Sequence, residues 1–134
     1  MDELIRKANE LKAASRRGNR VENKLNDEFC EKITGKTWLY RDDCDNTVTY
    51  MRVKSAKRKG YHTRLDIEAV EFGYDEKGFL MEVADLLFMD FWRSIVTTDI
   101  ISRFKEISDE EFEARYAVWK KVKEMENNLD NLNN

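Results

Sequence analysis

Thr47-Val48-Thr49-Tyr50-Met51-Arg52-Val53 leads into Lys54-Ser55-Ala56-Lys57-Arg58-Lys59-Gly60 and then into Tyr61-His62-Thr63-Arg64-Leu65-Asp66-Ile67-Glu68-Ala69-Val70-Glu71-Phe72. In the first run Val48 and Tyr50 alternate with threonines. In the last, Leu65, Ile67 and Ala69 alternate with Arg64, Asp66 and Glu68. A two-residue period marks strands with one buried face. Gly60 ends the basic connection, where it can supply a positive φ that other residues resist. The expectation is a β-hairpin with a positive tip: Lys54, Lys57, Arg58, Lys59 and Arg64, with no acid among them. The apolar phase of the second strand changes near Ala69–Val70, which calls for a bulge or for burial of both faces.

Outward from the hairpin, the order reads helix, sheet, helix. Asp2 can cap a helix carrying Leu4, Ile5, Ala8 and Leu11 at helical spacing. Ser15 to Arg20 is polar and basic, so residues 2–34 form one kinked helix or two. Val21, Leu25, Phe29 and Ile33 then recur at steps of four, and Gly35 stands where a helix-terminating glycine would. Thr37–Arg41 is a strand, and Asp42, Asp43, Asp45 and Asn46 make an acidic turn around Cys44. Phe79, Met81 and Val83 open a further strand; Val83 to Val96, with Leu86, Leu87, Phe88, Met89, Phe91 and Trp92, is dense enough for a buried strand or an amphipathic helix, and the expectation is strand to about Phe88 and then an irregular apolar loop. An exposed part of that loop would be a partner surface; burial under the helices is the plainer reading. A short extended piece ends at Ile107. Ser108-Asp109-Glu110-Glu111 is a capping box before the apolar stripe Phe112, Tyr116, Trp119, Val122 and Met125. The fold class is therefore α+β: an antiparallel meander of four or five strands packed with an N-terminal and a C-terminal helix. Residues 1–126 form a single domain (2–34 helical, 37–107 sheet, 108–126 helix). Residues 127–134 read as a fraying tail, although Leu129 and Leu132 keep the stripe's spacing and would suit a self-association seam.

Composition narrows the class. The chain has 134 residues, no proline and 38% charged residues, with aromatics plentiful enough for a packed core. A net charge of −3 conceals an asymmetry. Residues 1–64 carry 16 Lys and Arg against 10 Asp and Glu, whereas residues 65–134 carry 8 against 17. Opposite-signed faces would follow unless folding interleaves the halves. Cys30 and Cys44 are widely separated, which suits a reduced cytoplasmic setting. No apolar run approaches membrane-spanning length, and no signal-peptide core is visible.

Gly35-Lys36-Thr37-Trp38-Leu39-Tyr40, the Thr49–Val53 strand and Phe104-Lys105-Glu106-Ile107-Ser108-Asp109-Glu110-Glu111-Phe112 resemble a broad group of small phage and gut-bacterial proteins. Members open with a Gly-Lys-x-Tyr-type strand and close with a Glu-Ile-Ser/Thr-x-Glu-Glu-Phe helix start. The resemblance spans about Gly35 to Met125, and this chain departs from it by its long N-terminal helical region. It carries over no catalytic residue. It implies phages and mobile elements as genomic company, where small proteins block host defence, as anti-CRISPR proteins and signal-nucleotide sponges do.

The residues themselves offer little catalytic chemistry. His62 is the single histidine, so any nucleophilic device would need it. One His and two separated Cys do not make a zinc site, and Asp42, Asp43 and Asp45 lack the calcium-loop pattern. Gly35-Lys36-Thr37 is the tail of a Walker motif without its upstream glycine. No catalytic residue, metal ligand or cofactor is expected. Binding is better supported. Arg16, Arg17 and Arg20 form one cationic cluster, and Lys54, Lys57, Arg58, Lys59 and Arg64 form another. Tyr61 and His62 stand beside the second as rings on which a base can stack. A solvated tip kept charged against aggregation is the alternative. The expected function is a non-enzymatic inhibitor of a bacterial defence system, binding a host nuclease or ribonucleoprotein, with RNA or DNA contact, in the host cytoplasm. A sponge for a phosphorylated signalling nucleotide and a nucleic-acid-binding accessory phage protein are the alternatives. A homodimer through the C-terminal helix is also expected.

Overall fold

The computed structural model describes residues 1–14, 19–60, 62–92 and 99–133. Two helices lead: α1 (Asp2–Ala14) and α2 (Asn19–Ile33). The strands are β1 (Thr37–Asp42), β2 (Thr47–Lys59), β3 (His62–Tyr74), β4 (Leu80–Phe91) and β5 (Phe104–Ile107), and α3 (Asp109–Asn133) closes the chain. A short 3-10 turn, Asp99–Arg103, leads into β5. All pairings are antiparallel in the order β4-β3-β2-β1-β5, so the fold is α+β with helices on both faces of one sheet.

The larger core lies between the sheet and the N-terminal helices. Leu4 and Ala8 of α1 and Leu25, Phe29 and Ile33 of α2 pack on Trp38, Met51, Val53, Leu65 and Ile67. Phe104 stands edge-on to Phe29 at 5.2 Å and to Tyr40 at 4.9 Å, geometries that suit the ring quadrupoles. Polar groups caught here are paired. Trp38 Nε1 donates to Ile33 O at 3.0 Å, and Asn26 Nδ2 donates to Thr63 Oγ1 at 2.7 Å, tying α2 to β3. Gly35 follows α2 at φ 79° and donates its N–H to Val53 O at 2.8 Å, turning the chain into the sheet.

The smaller core lies on the opposite face. Val70, Phe72 and Val83 are covered by Tyr116, Trp119 and Val122 of α3. Burial of both faces therefore explains the phase change in β3: Leu65, Ile67 and Ala69 face α2, whereas Val70 and Phe72 face α3. The start of α3 is capped as expected, with Glu111 N donating to Ser108 Oγ at 3.1 Å.

Three expectations change. The basic segment 54–59 is strand, not connection, and the turn begins only at Gly60, at φ 62°. The reason is a register shift between Val53 and Ser55, which resets the alternation so that Ala56 packs against the larger core. β4 continues past Phe88 to Phe91, because Met89 and Phe91 pair with Leu65 and Thr63 and join the same core. Residues 127–133 extend α3 instead of fraying.

Candidate functional site

Beyond the reset at Lys54, successive residues of β2 look to opposite faces. Arg58 looks towards α2, where its Nε donates to Asp27 Oδ1 at 2.9 Å and Nη2 donates to Asp27 Oδ2 at 3.3 Å. This bidentate pair fixes the hairpin to the helix and removes Arg58 from the expected phosphate-binding group. Lys57 and Lys59 look the other way. With His62, Arg64, Asp66, Asp90 and Trp92 they line an open groove of about 550 Å³. The groove lies on the same sheet face as α3, at the end that α3 does not cover.

Its walls combine rings and cations. Arg64 lays its guanidinium 4.4 Å from the centre of the Phe88 ring, and its Nε donates to Asp66 Oδ1 at 3.2 Å. His62 meets Trp92 edge-on at 4.1 Å. Trp92 is 72% exposed and Phe88 48%, a large aromatic surface left to solvent. Lys57 and Lys59 form no ion pair among the described residues. Hydrogen bonds from Ser55 and then Arg64 hold the Asp66 carboxyl below its ordinary range, so it stays ionised.

Of the residues picked from sequence, Lys57, Lys59, His62 and Arg64 come together here. Lys54 is exposed at the register shift and does not line the groove. Arg16, Arg17 and Tyr61 lie outside the described residues, as does the side chain of Arg20. Sequence reasoning read the run holding Phe88 and Trp92 as a partner surface if exposed, but did not place it, or Asp90, beside these cations, because β4 reaches the groove only through its pairing with β3. The tip also gains acids it lacked in the linear reading: Asp66, Asp90 and, on the other face, Asp27.

Other chemistry is sparse. Burial, and secondarily the nearby Asp27, pushes the Cys30 thiol up to about 11, far from a reactive thiolate at neutral pH. The Asp42 carboxylate accepts backbone N–H bonds from Cys44 at 3.0 Å and Asp45 at 3.3 Å, acting as a turn former. Among the described residues no group of three or more His, Cys, Asp or Glu is placed to hold a metal ion. No helix among them is long and apolar enough to cross a membrane. Compared with protein-family models, curated proteins and solved structures, the chain matches none.

Proposed function

We propose that this chain is a non-enzymatic binding protein that grips a single-stranded segment of nucleic acid, of the kind a host ribonucleoprotein presents, in the groove between β2, β3 and β4. One observation carries the reading: Lys57 and Lys59, which form no ion pair among the described residues, stand on the same open face as the exposed rings of Trp92 and Phe88. Cations follow a phosphate backbone, and flat rings take unstacked bases of any identity. Asp66 and Asp90 sit within the same groove and disfavour a second phosphate close to Arg64, which suits one strand with its bases turned inward better than a duplex. The resemblance to small phage proteins supports reading such binding as that of an anti-CRISPR-type inhibitor of a defence nuclease.

A pull-down from a bacterial lysate, with and without nuclease, tests this. Retention of a ribonucleoprotein that is lost with Lys57→Glu/Lys59→Glu supports the proposal. Retention unaffected by either nuclease or that variant removes the nucleic-acid handle. The groove's volume also falls in the range of small-ligand sites, which favours the nucleotide sponge as a second reading. A rise in melting temperature with a phosphorylated mononucleotide, and none with an oligonucleotide, would select it.

A further inference from the structure

Among the described residues, every large apolar side chain that stays exposed, apart from Val21, belongs to α3 or to β4 and its immediate flanks. Two structural facts lie behind this. First, β4 is a twelve-residue edge strand whose outer backbone has no partner among the described residues, and it carries three acids, Glu82, Asp85 and Asp90, but no Lys, Arg or Pro. A long edge strand of this kind is a template for another strand. The opposite edge, β5, is only four residues long.

Second, α3 is longer than the sheet it crosses. It starts beside β1, where Thr37 Oγ1 donates to Asp109 Oδ1 at 3.4 Å, and passes β2, where Arg52 lies 4.7 Å from the Phe112 ring. It then covers Val70, Phe72 and Val83 of β3 and β4. Val122 is the last α3 side chain packed in this core, and residues 123–133 carry the helix on for about 16 Å, or roughly three strand widths. Met125, Leu129 and Leu132 on this overhang are 60%, 59% and 81% exposed. After Lys123 its charged residues are Glu124, Glu126 and Asp130, all acidic.

We infer that a second copy of this chain docks on the free edge of β4, so that each overhanging α3 lies across the other's groove. Antiparallel self-pairing of β4 sets the first half of one strand beside the last half of the other. The helix leaving over Val83 of one copy therefore emerges above the Phe88–Trp92 half of its neighbour, the half that has no helix of its own. There the apolar stripe meets the exposed rings of Phe88 and Trp92, and the overhang's acids meet Lys57, Lys59 and Arg64. Shape, apolarity and charge are complementary within one two-fold arrangement, a ten-stranded sheet crossed by two antiparallel helices. The dimer closes the groove and a polyanion opens it. That competition rests on the nucleic-acid reading of the groove, whereas the dimer does not.

Sedimentation velocity of the full chain from micromolar to submillimolar concentration tests the assembly without any nucleic acid. The expected result is a monomer–dimer equilibrium, weakened at least about tenfold by Leu129→Glu/Leu132→Glu. Both positions are exposed in the single chain, so the variant keeps the melting temperature that the wild type shows at concentrations where it is monomeric. A strictly monomeric wild type, leaving this face to a different protein, would overturn the inference. So would a dimer that both this variant and Leu87→Lys on the β4 edge leave intact. Anisotropy of a labelled single-stranded oligonucleotide then separates the two claims. The monomeric variant should bind it more tightly than wild type. A dimer that the double variant dissociates without any oligonucleotide binding would end the nucleic-acid reading and leave the dimer standing.

Discussion

The sheet face under α3 is finished differently at its two ends. At one end Val70, Phe72 and Val83 are sealed beneath Tyr116, Trp119 and Val122. At the other, the same strands present Arg64, Phe88 and Trp92 to solvent. Strand chemistry alone does not make this difference, since both ends carry aromatics and arginines. It arises from where one helix begins and in which direction it leaves. Arg52 and Arg64 illustrate the point. Each lies over a phenylalanine ring, but Phe112 under Arg52 is buried, and Phe88 under Arg64 is half open. One contact belongs to the core's edge, and the other borders the open groove.

The largest effects should come from the sealed end. Phe72→Ala should cost roughly 3–5 kcal/mol of stability, read by denaturant unfolding, and should spare any binding chemistry at the groove. The open end should behave in reverse. Phe88→Ala should cost less than about 1 kcal/mol of stability, while oligonucleotide affinity falls by about 1–3 kcal/mol in an anisotropy titration. If both variants changed stability alike, the distinction between the two ends would collapse. Ser108→Ala sharpens the comparison further. Loss of the α3 cap should lower stability by about 1 kcal/mol and leave the groove's intrinsic affinity unchanged.

The smallest expected effect concerns two carboxyls on β3. Burial, chiefly, holds Glu71 above its usual 4.5, despite a hydrogen bond from Thr49. Its folded form binds more protons than the unfolded chain just above that value, so its contribution weakens stability as pH rises there. Asp66 is shifted the other way, and the stability it contributes is present above 3.8 and fades as pH falls through its lowered folded value. Carboxyl NMR titrations should show these opposite displacements, and Glu71→Gln should flatten the slope above 4.5.

Much of the architecture was legible in the residues. The two-residue period of Leu65, Ile67 and Ala69 located one buried face, and the later shift to Val70 and Phe72 signalled the second. Ser108 and Glu111 announced α3 because capping is a local interaction. The site was less legible. Lys54 to Lys59 read as one positive tip, since charge in a line carries no face. The register shift after Val53 distributes those cations, giving Arg58 to Asp27 and leaving Lys57 and Lys59 free. Phe88 and Trp92 were visible only as an ambiguous apolar run, because their place beside Arg64 and His62 depends on a long-range pairing with β3. The overhang of α3 was equally hidden: its length follows from residue count, but its excess over the sheet needs the sheet's width.

The central claim is that Lys57 and Lys59 act together on a phosphate backbone while Arg58, paired to Asp27, serves the fold. The most direct test is the salt dependence of single-stranded oligonucleotide affinity for wild type, Arg58→Ala and Lys57→Glu/Lys59→Glu. Two phosphate contacts predict a log–log slope of about −1.4 for wild type. Arg58→Ala should keep that slope and lower only thermal stability, whereas Lys57→Glu/Lys59→Glu should lose most of the slope and keep its melting temperature. A slope near zero for wild type, or one that depends on Arg58 and not on Lys57 and Lys59, would contradict the account.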